Sequence, residues 1–141
     1  MKILIGCETS GTVRNAFLDK GHDTWSCDIL PADDQTNRHI QDDVRNVIRM
    51  EAWDLLMVAH PPCTRLCLSG ARWYKVAPPG KTLEQMDEEL IEGCQLISDL
   101  WNADIPRIAI ENPVMLGKAR DEIKKISDRE YENKGPRRGS K

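Results

Sequence analysis

Cys63 is the residue whose type and position most favour chemistry. An apolar run at residues 54–59 ends at two prolines, and Cys63 follows them directly. If that run is a parallel strand, the thiol lies near its carboxyl end, which is where open α/β sheets bind their ligands. Nearby Arg65 would lower the pKa of the thiol and make it a nucleophile. Two other roles stay open: a metal ligand with His60 and Cys67, although a fourth ligand is missing, or an inert buried thiol.

A carboxylate occupies a similar position about fifty residues later. The segment Ile108-Ala-Ile-Glu-Asn-Pro113 is also an apolar run that stops at polar residues, and it places Glu111 at the stop. Because parallel strands end at one edge of a sheet, the side chains of Glu111 and Cys63 are expected at the same edge. The alternative role for Glu111 is structural, as a carboxylate at the N-terminus of a helix predicted over residues 114–126.

Alternating strand and helix patterns predict the elements that position these groups. The predicted strands cover residues 2–6, 22–29, 39–43, 54–59 and 106–110, and the predicted helices cover residues 11–20, 44–50, 83–102 and 114–126. The alternation predicts an α/β fold with a Rossmann-like open parallel sheet of about five strands and flanking helices. Gly21 is expected to end the first helix and Asp43 to cap the second.

Polar or glycine-rich stops after the first three strands indicate a cofactor site. The loop from Gly6 to Gly11 lacks glycines where a pyrophosphate would need close approach to the backbone, so a cofactor without a pyrophosphate fits better. We predict S-adenosylmethionine, with Asp28 on the ribose hydroxyls, the first loop on the methionine end and the start of the second helix on the adenine. The predicted cofactor-binding residues are Gly6, Glu8, Gly11, Asp28, Asp43 and Val44.

Composition and charge limit the class of protein. Of 141 residues, 40% are hydrophobic and 30% charged, which predicts one globular domain over residues 1–126 and a flexible basic tail over residues 127–141. No apolar run approaches the roughly 18 residues that cross a bilayer, and no secretory signal is visible, so we expect a cytoplasmic protein without membrane contact. The five cysteines, an odd number, suit reduced thiols. The net charge of −3 provides no global basic field, but Arg65, Arg72 and Lys75 cluster after Cys63 and could bind phosphate locally. The alternative is that these three residues are scattered, solvated cations.

Several motifs, in order over residues 1–125, resemble those of cytosine-C5 DNA methyltransferases, and in particular the short methyltransferase-like proteins encoded by bacteriophages and prophages. Pro61-Pro62-Cys63 after a Trp-Asp-apolar strand is similar to their catalytic Pro-Cys motif, and Glu111-Asn112-Pro113 to their Glu-Asn-Val motif. The other matching segments are Cys7-Glu8, Gly21-His22, Ser26-Cys27-Asp28-Ile29, His60 through Thr64, Ser69-Gly70, Arg72-Trp73 and Pro106 through Pro113. The order and spacing of these motifs make the match specific.

The resemblance implies covalent catalysis on DNA in a bacterial host cell. The Cys63 thiolate would add to C6 of a cytosine turned out of the duplex, while Glu111 binds the base at N3 and stabilises the adduct. C5 then takes the methyl group of S-adenosylmethionine, and loss of the C5 proton and of the thiol releases 5-methylcytosine. No metal is implied. The residues implied to contact the substrate are Pro62, Arg65, Ser69, Arg72 and Asn112.

The sequence departs from full-length cytosine methyltransferases. It lacks the Gln-x-Arg-x-Arg segment, the target-recognition domain, the helix that completes the cofactor pocket and the aromatic-Gly pattern of the first loop. We therefore expect a truncated fold that a second copy or a partner subunit completes through an open sheet edge. The alternative hypothesis is a binding protein of phage origin, a methyltransferase fold without catalysis that acts on a protein or DNA partner in an accessory or anti-defence role. The missing segments favour the binding protein, and the Cys63–Glu111 pair favours the enzyme.

Overall fold

A computed structural model describes residues 1–59, 61, 76–111 and 117–134 of the chain, with side chains as far as Ile126. The chain divides into two compact units. The first contains the sheet and helices α1 (Thr12–Asp19) and α2 (Val44–Val47). The second contains most of helix α3 (Leu83–Trp101) and all of helix α4 (Gly117–Lys134). None of the described helices combines the length and the apolar character that a membrane span requires.

Five parallel strands form the sheet of the first unit. They are β1 (Lys2–Gly6), β2 (Asp23–Asp28), β3 (His39–Gln41), β4 (Leu55–Val58) and β5 (Arg107–Ile110), in the order β3-β2-β1-β4-β5. This confirms the predicted α/β class with five parallel strands and is compatible with a Rossmann-like fold. Strand β1 is fully buried from Ile3 to Ile5, as expected of a strand paired on both sides. The outer strands of the described sheet are β3 and β5, and association through an open edge stays a prediction.

Most predicted element boundaries agree with the structure to within two residues. Gly21 follows α1 in the left-handed conformation with φ of 85°, as predicted. Asp43 caps α2, also as predicted, because its Oδ1 accepts a hydrogen bond from the backbone N–H of Arg45 at 2.9 Å. Strand β3 ends earlier than predicted, at Gln41, because the next two residues turn into the helix: Asp42 Oδ1 accepts from the Asp43 N–H at 2.6 Å.

Helix α1 buries a charged side chain where its sequence predicts an apolar face. Phe17 and Leu18 are only half-buried and Ala16 is exposed, whereas Arg14 is fully buried. Arg14 lies three and four residues before Phe17 and Leu18, so the three side chains share one side of the helix. The apolar residues therefore mark the correct side of α1, and the arginine occupies its deepest position.

The described part of the second unit consists of two helices and the non-helical segment of residues 76–82. Helix α3 matches the predicted span of residues 83–102 and buries residues at helical spacing, namely Met86, Leu90, Cys94 and Ile97. Two contacts join α3 to α4: the Cys94 thiol donates to the Ala119 carbonyl at 3.5 Å, and Lys118 Nζ lies 2.7 Å from Asp87 Oδ1.

Helix α4 continues to Lys134. Residues 127–134, which we expected to belong to a flexible tail, are therefore helical. The segment lacks the apolar spacing on which the prediction of the helix end relied, but its Lys, Arg and Glu residues have good intrinsic helix propensity. Residues 135–141 lie outside the described part of the chain.

Candidate functional site

The carboxyl edge of the sheet brings several predicted residues to one side of the first unit. Strand order reverses between β1 and β4, since β2 and β3 lie on one side of β1 while β4 and β5 lie on the other. Ligands of open α/β sheets bind outside the strand ends at such a switch point. The groups that follow the strands at this edge are the Gly6–Gly11 loop, Asp28, Asp43 and Glu111.

Cys7 lies at the centre of this edge and is not among the predicted cofactor-binding residues. It follows β1 with φ of 57°, a left-handed conformation that few residues other than glycine adopt, and its side chain is half-buried. Burial, together with the negative charges of Asp28 and Asp43, raises the pKa of the Cys7 thiol to about 11. The Cys7 thiol therefore faces two of the predicted cofactor-binding carboxylates and stays protonated at neutral pH.

Asp28 lies at the end of β2 with its carboxylate half-buried. Its Oδ1 accepts a hydrogen bond from the backbone N–H of Leu30 at 2.9 Å, which holds the carboxylate against the turn after the strand. Its backbone carbonyl accepts from the Asp42 N–H at 3.0 Å, which joins the ends of β2 and β3. The contact of Asp28 to a ribose stays a prediction; a held, partly exposed carboxylate is suited to accept from hydroxyl groups.

The side chains of Asp43 and Val44 are engaged within the protein. Arg45 donates to both carboxylate oxygens of Asp43, with Nε 3.1 Å from Oδ1 and Nη2 2.8 Å from Oδ2. These hydrogen bonds hold the pKa of Asp43 below its usual range. Val44 is buried beside Gly6, where an added Cβ would come within 2.9 Å of Val44 Cγ2. Because Gly6 has no Cβ, α2 can approach the end of β1. The predicted adenine contact would then be made by the backbone of residues 43–44.

Glu8, predicted to bind the cofactor, is instead fully buried and caps helix α1. Its Oε1 accepts from the Val13 N–H at 2.7 Å and its Oε2 from the Arg14 N–H at 3.2 Å. The Ser10 hydroxyl lies 3.4 Å from Oε1. The Glu8 carboxylate thus satisfies two backbone N–H donors that have no partner within the helix. It holds the loop in place, and neither of its oxygens is exposed to a ligand.

Arg14 holds the same loop through a buried polar network. Its Nη1 donates to Ser26 Oγ at 2.8 Å, its Nε to Asn15 Oδ1 at 3.3 Å, and its Nη2 pairs with Asp34. Gly11 lies against this pair with φ of 74°, and a Cβ there would collide with the guanidinium and come within 2.9 Å of Asp34 Oδ2. Gly11 is therefore required for two reasons: its backbone is in the left-handed conformation, and the Arg14–Asp34 pair packs closely against it.

His39 extends the network across the sheet. Its Nε2 lies 3.0 Å from the Leu30 carbonyl oxygen, which can only accept, so Nε2 carries the hydrogen. In the neutral imidazole Nδ1 then accepts from the Ser26 hydroxyl at 2.9 Å, while Ser26 Oγ accepts from the Arg14 guanidinium. One directed chain of hydrogen bonds thus joins α1, β2, β3 and the loop of residues 29–38. The one sequence signal for this network is Arg14 at a core-facing position of α1.

Glu111 is exposed directly after β5. Its backbone N–H donates to the Val58 carbonyl at 3.0 Å, which continues the β4–β5 pairing in which Val58 is opposite Ile110. Val58 is five residues before Cys63 in the sequence. The predicted base-binding carboxylate therefore lies at the edge where the chain leaves β4 towards the predicted nucleophile.

The remaining predicted site residues lie outside the described residues. They are the predicted nucleophile Cys63 and the predicted substrate contacts Pro62, Arg65, Ser69, Arg72 and Asn112. Their assignments stay predictions from the sequence.

We expect Cys7 and Cys27 to resist alkylation in the native protein. Burial raises their thiol pKa values to about 11 and about 12 from the ordinary value of 9.0, so at pH 8 at most about one Cys7 thiol in a thousand is the reactive thiolate. Iodoacetamide treatment at pH 8 followed by peptide mass spectrometry should find both residues unmodified, and guanidinium should make both reactive. Rapid modification of Cys7 without denaturant would contradict the described surroundings of its thiol.

No protein-family model, curated protein or solved structure matches this chain.

Proposed function

We propose that this chain is a cytosine-C5 DNA methyltransferase-like protein that takes its methyl group from S-adenosylmethionine. Cys63 is the proposed nucleophile and Glu111 the carboxyl group that binds the base. The observation that carries the proposal is the pairing of β4 with β5, in which the Glu111 N–H donates to Val58 O at 3.0 Å. Glu111 and the segment leading to Cys63 thus belong to neighbouring strand ends, which suits a mechanism that needs both groups around one pyrimidine ring.

The proposed chemistry divides between these two residues. The Cys63 thiolate adds to C6 and leaves again once C5 has lost its proton. Glu111, bound at N3, stabilises the charge that develops in the ring while the thiol is attached. The cofactor, when bound, supplies an electrophilic methyl group on a sulfonium.

The described carboxyl edge supports a nucleoside cofactor. Asp28 would accept hydrogen bonds from the ribose hydroxyls, because it ends β2 with a partly exposed carboxylate. Gly6 and the half-buried Cys7 would lie beneath the rest of the cofactor, since Gly6 ends the central strand β1 and Cys7 follows it. The backbone of residues 43–44 at the start of α2 would lie beside the adenine.

Calorimetry with S-adenosylmethionine tests the cofactor site. We expect the native chain to bind it, and Asp28→Asn to weaken binding about tenfold because one charge-assisted hydrogen bond is lost. Asp104→Asn, at an exposed position after α3, is the matched control and should bind as the native chain does. No heat and no thermal shift at millimolar cofactor would contradict the enzyme hypothesis and favour the binding protein without catalysis.

A further inference from the structure

We infer that Glu8 is a specificity-determining residue that excludes phosphate-bearing ligands from the carboxyl edge and restricts it to nucleosides without a 5′-phosphate. The inference rests on the proposed function only in taking that edge as a nucleoside site. It concerns the position at the N-terminus of α1, where α/β domains of this strand order hold the phosphates of nucleotides.

The anion position is already filled by the protein. The two oxygens of Glu8 accept from the N–H groups of Val13 and Arg14 at 2.7 and 3.2 Å, and the Ser10 hydroxyl adds a contact of 3.4 Å. The side chain is fully buried, so a phosphate could reach these donors only by displacing the carboxylate. Charge on Glu8 also offsets the positive end of the helix dipole that would otherwise attract an anion.

A second carboxylate covers the same loop from outside. Asp34 forms an ion pair with Arg14. The cation nearest the start of α1 is therefore already paired with a carboxylate of the protein. The neighbouring Asp33 holds the loop in place, since its N–H donates to Thr9 O at 2.9 Å and its Oδ2 accepts from Thr9 Oγ1 at 3.1 Å. An incoming phosphate would therefore meet the negative charge of Asp33, and the Arg14 guanidinium would not be available to it because Asp34 already pairs with that guanidinium.

The rest of the described edge is also negatively charged. Asp28 and Asp43 lie near the Cys7 thiol, and the guanidinium of Arg45 is engaged by Asp43. A phosphate at this edge would be repelled by these carboxylates, because like charges repel even near solvent. A neutral or cationic nucleoside is the ligand class that this electrostatic environment favours.

A ligand series on the native chain is the first test. By calorimetry at constant ionic strength, we expect adenosine and S-adenosylmethionine to bind at least about tenfold more tightly than AMP or ATP. Equal or tighter binding of AMP would overturn the inference while leaving a nucleoside site in place. If none of these ligands binds, the proposed function fails, and the next experiment still decides the role of Glu8.

Phosphate rescue tests Glu8 directly, without a nucleoside. Glu8→Ala empties the anion position, so inorganic phosphate at about ten times its Kd should raise the Tm of this variant by roughly 3–6 °C relative to chloride of equal ionic strength. The native chain and Glu8→Gln, which keeps the side chain in place without its charge, should gain about a degree or less. A general stabiliser would raise all three equally, and that result, or no gain for Glu8→Ala, would overturn the inference.

A further variant covers the case in which Glu8→Ala does not fold. Glu8→Ser removes the carboxylate but keeps a hydroxyl that can cap the helix, and its refolding yield in phosphate is compared with its yield in chloride. We expect at least a twofold higher yield in phosphate for this variant and none for the native chain. Equal yields in the two salts would count against the exclusion of phosphate by Glu8.

Discussion

The Cys63→Ser variant is expected to bind S-adenosylmethionine as the native chain does and to transfer its methyl group at least about a thousandfold more slowly. The hydroxyl of serine is far less acidic than a thiol, so it does not supply the anion that adds to C6. Transfer of a labelled methyl group to cytosine-containing DNA measures the rate. Cys67→Ser, four residues further along the same segment, is the matched control and should keep the native rate.

Glu111→Gln should slow the same transfer about 10²–10⁴-fold, because a carboxyl group that assists reaction at the base is replaced by an amide. Glu84→Gln on the exposed face of α3 is its control.

DNA containing 5-fluorocytosine should trap a covalent adduct with the native chain and none with Cys63→Ser, since fluorine prevents loss of the C5 substituent. An adduct that persists in Cys63→Ser would rule out Cys63 as the nucleophile.

Arg14→Met is expected to destabilise the fold by about 3 kcal/mol, which is the lower end of the range for breaking a buried ion pair. The lower end applies because the Asp34 side chain is 35% exposed and regains some hydration when its partner is lost. The substitution also leaves the buried Ser26 hydroxyl without its guanidinium donor. For a chain of this length the Tm should fall by roughly 10 °C.

Urea denaturation of Arg14→Met and of Arg49→Met measures this loss. Arg49 is exposed after α2, so its replacement should change stability by at most about 0.5 kcal/mol. In the double variant Arg14→Met/Asp34→Asn part of the stability should return, because no unpaired carboxylate remains beside the loop. A loss below about 1 kcal/mol for Arg14→Met would contradict the central role of its network.

The strands and most helices of this protein were predictable because their signals are local. The apolar runs at β1 and β4 reflect strands buried in the middle of a parallel sheet, and Gly21 and Asp43 mark helix ends by their own backbone and capping chemistry. The end of α4 was not predictable from apolar spacing, because a polar helix is stabilised by propensity and carries no such pattern.

The candidate site, too, was predictable only where its signals are local. The sequence by itself determined that Asp28 and Glu111 follow strand ends and therefore share an edge, since parallel strands leave no other arrangement. Only the tertiary structure decided which of the polar residues at this edge are engaged within the protein. Glu8 looked like a ligand contact by its place in the first loop, but it is the cap of α1, because the N–H groups it accepts from belong to residues five and six positions later. Arg14 looked like an ordinary helix residue, but it is buried because its partners Ser26 and Asp34 come from other elements that only the fold brings to it.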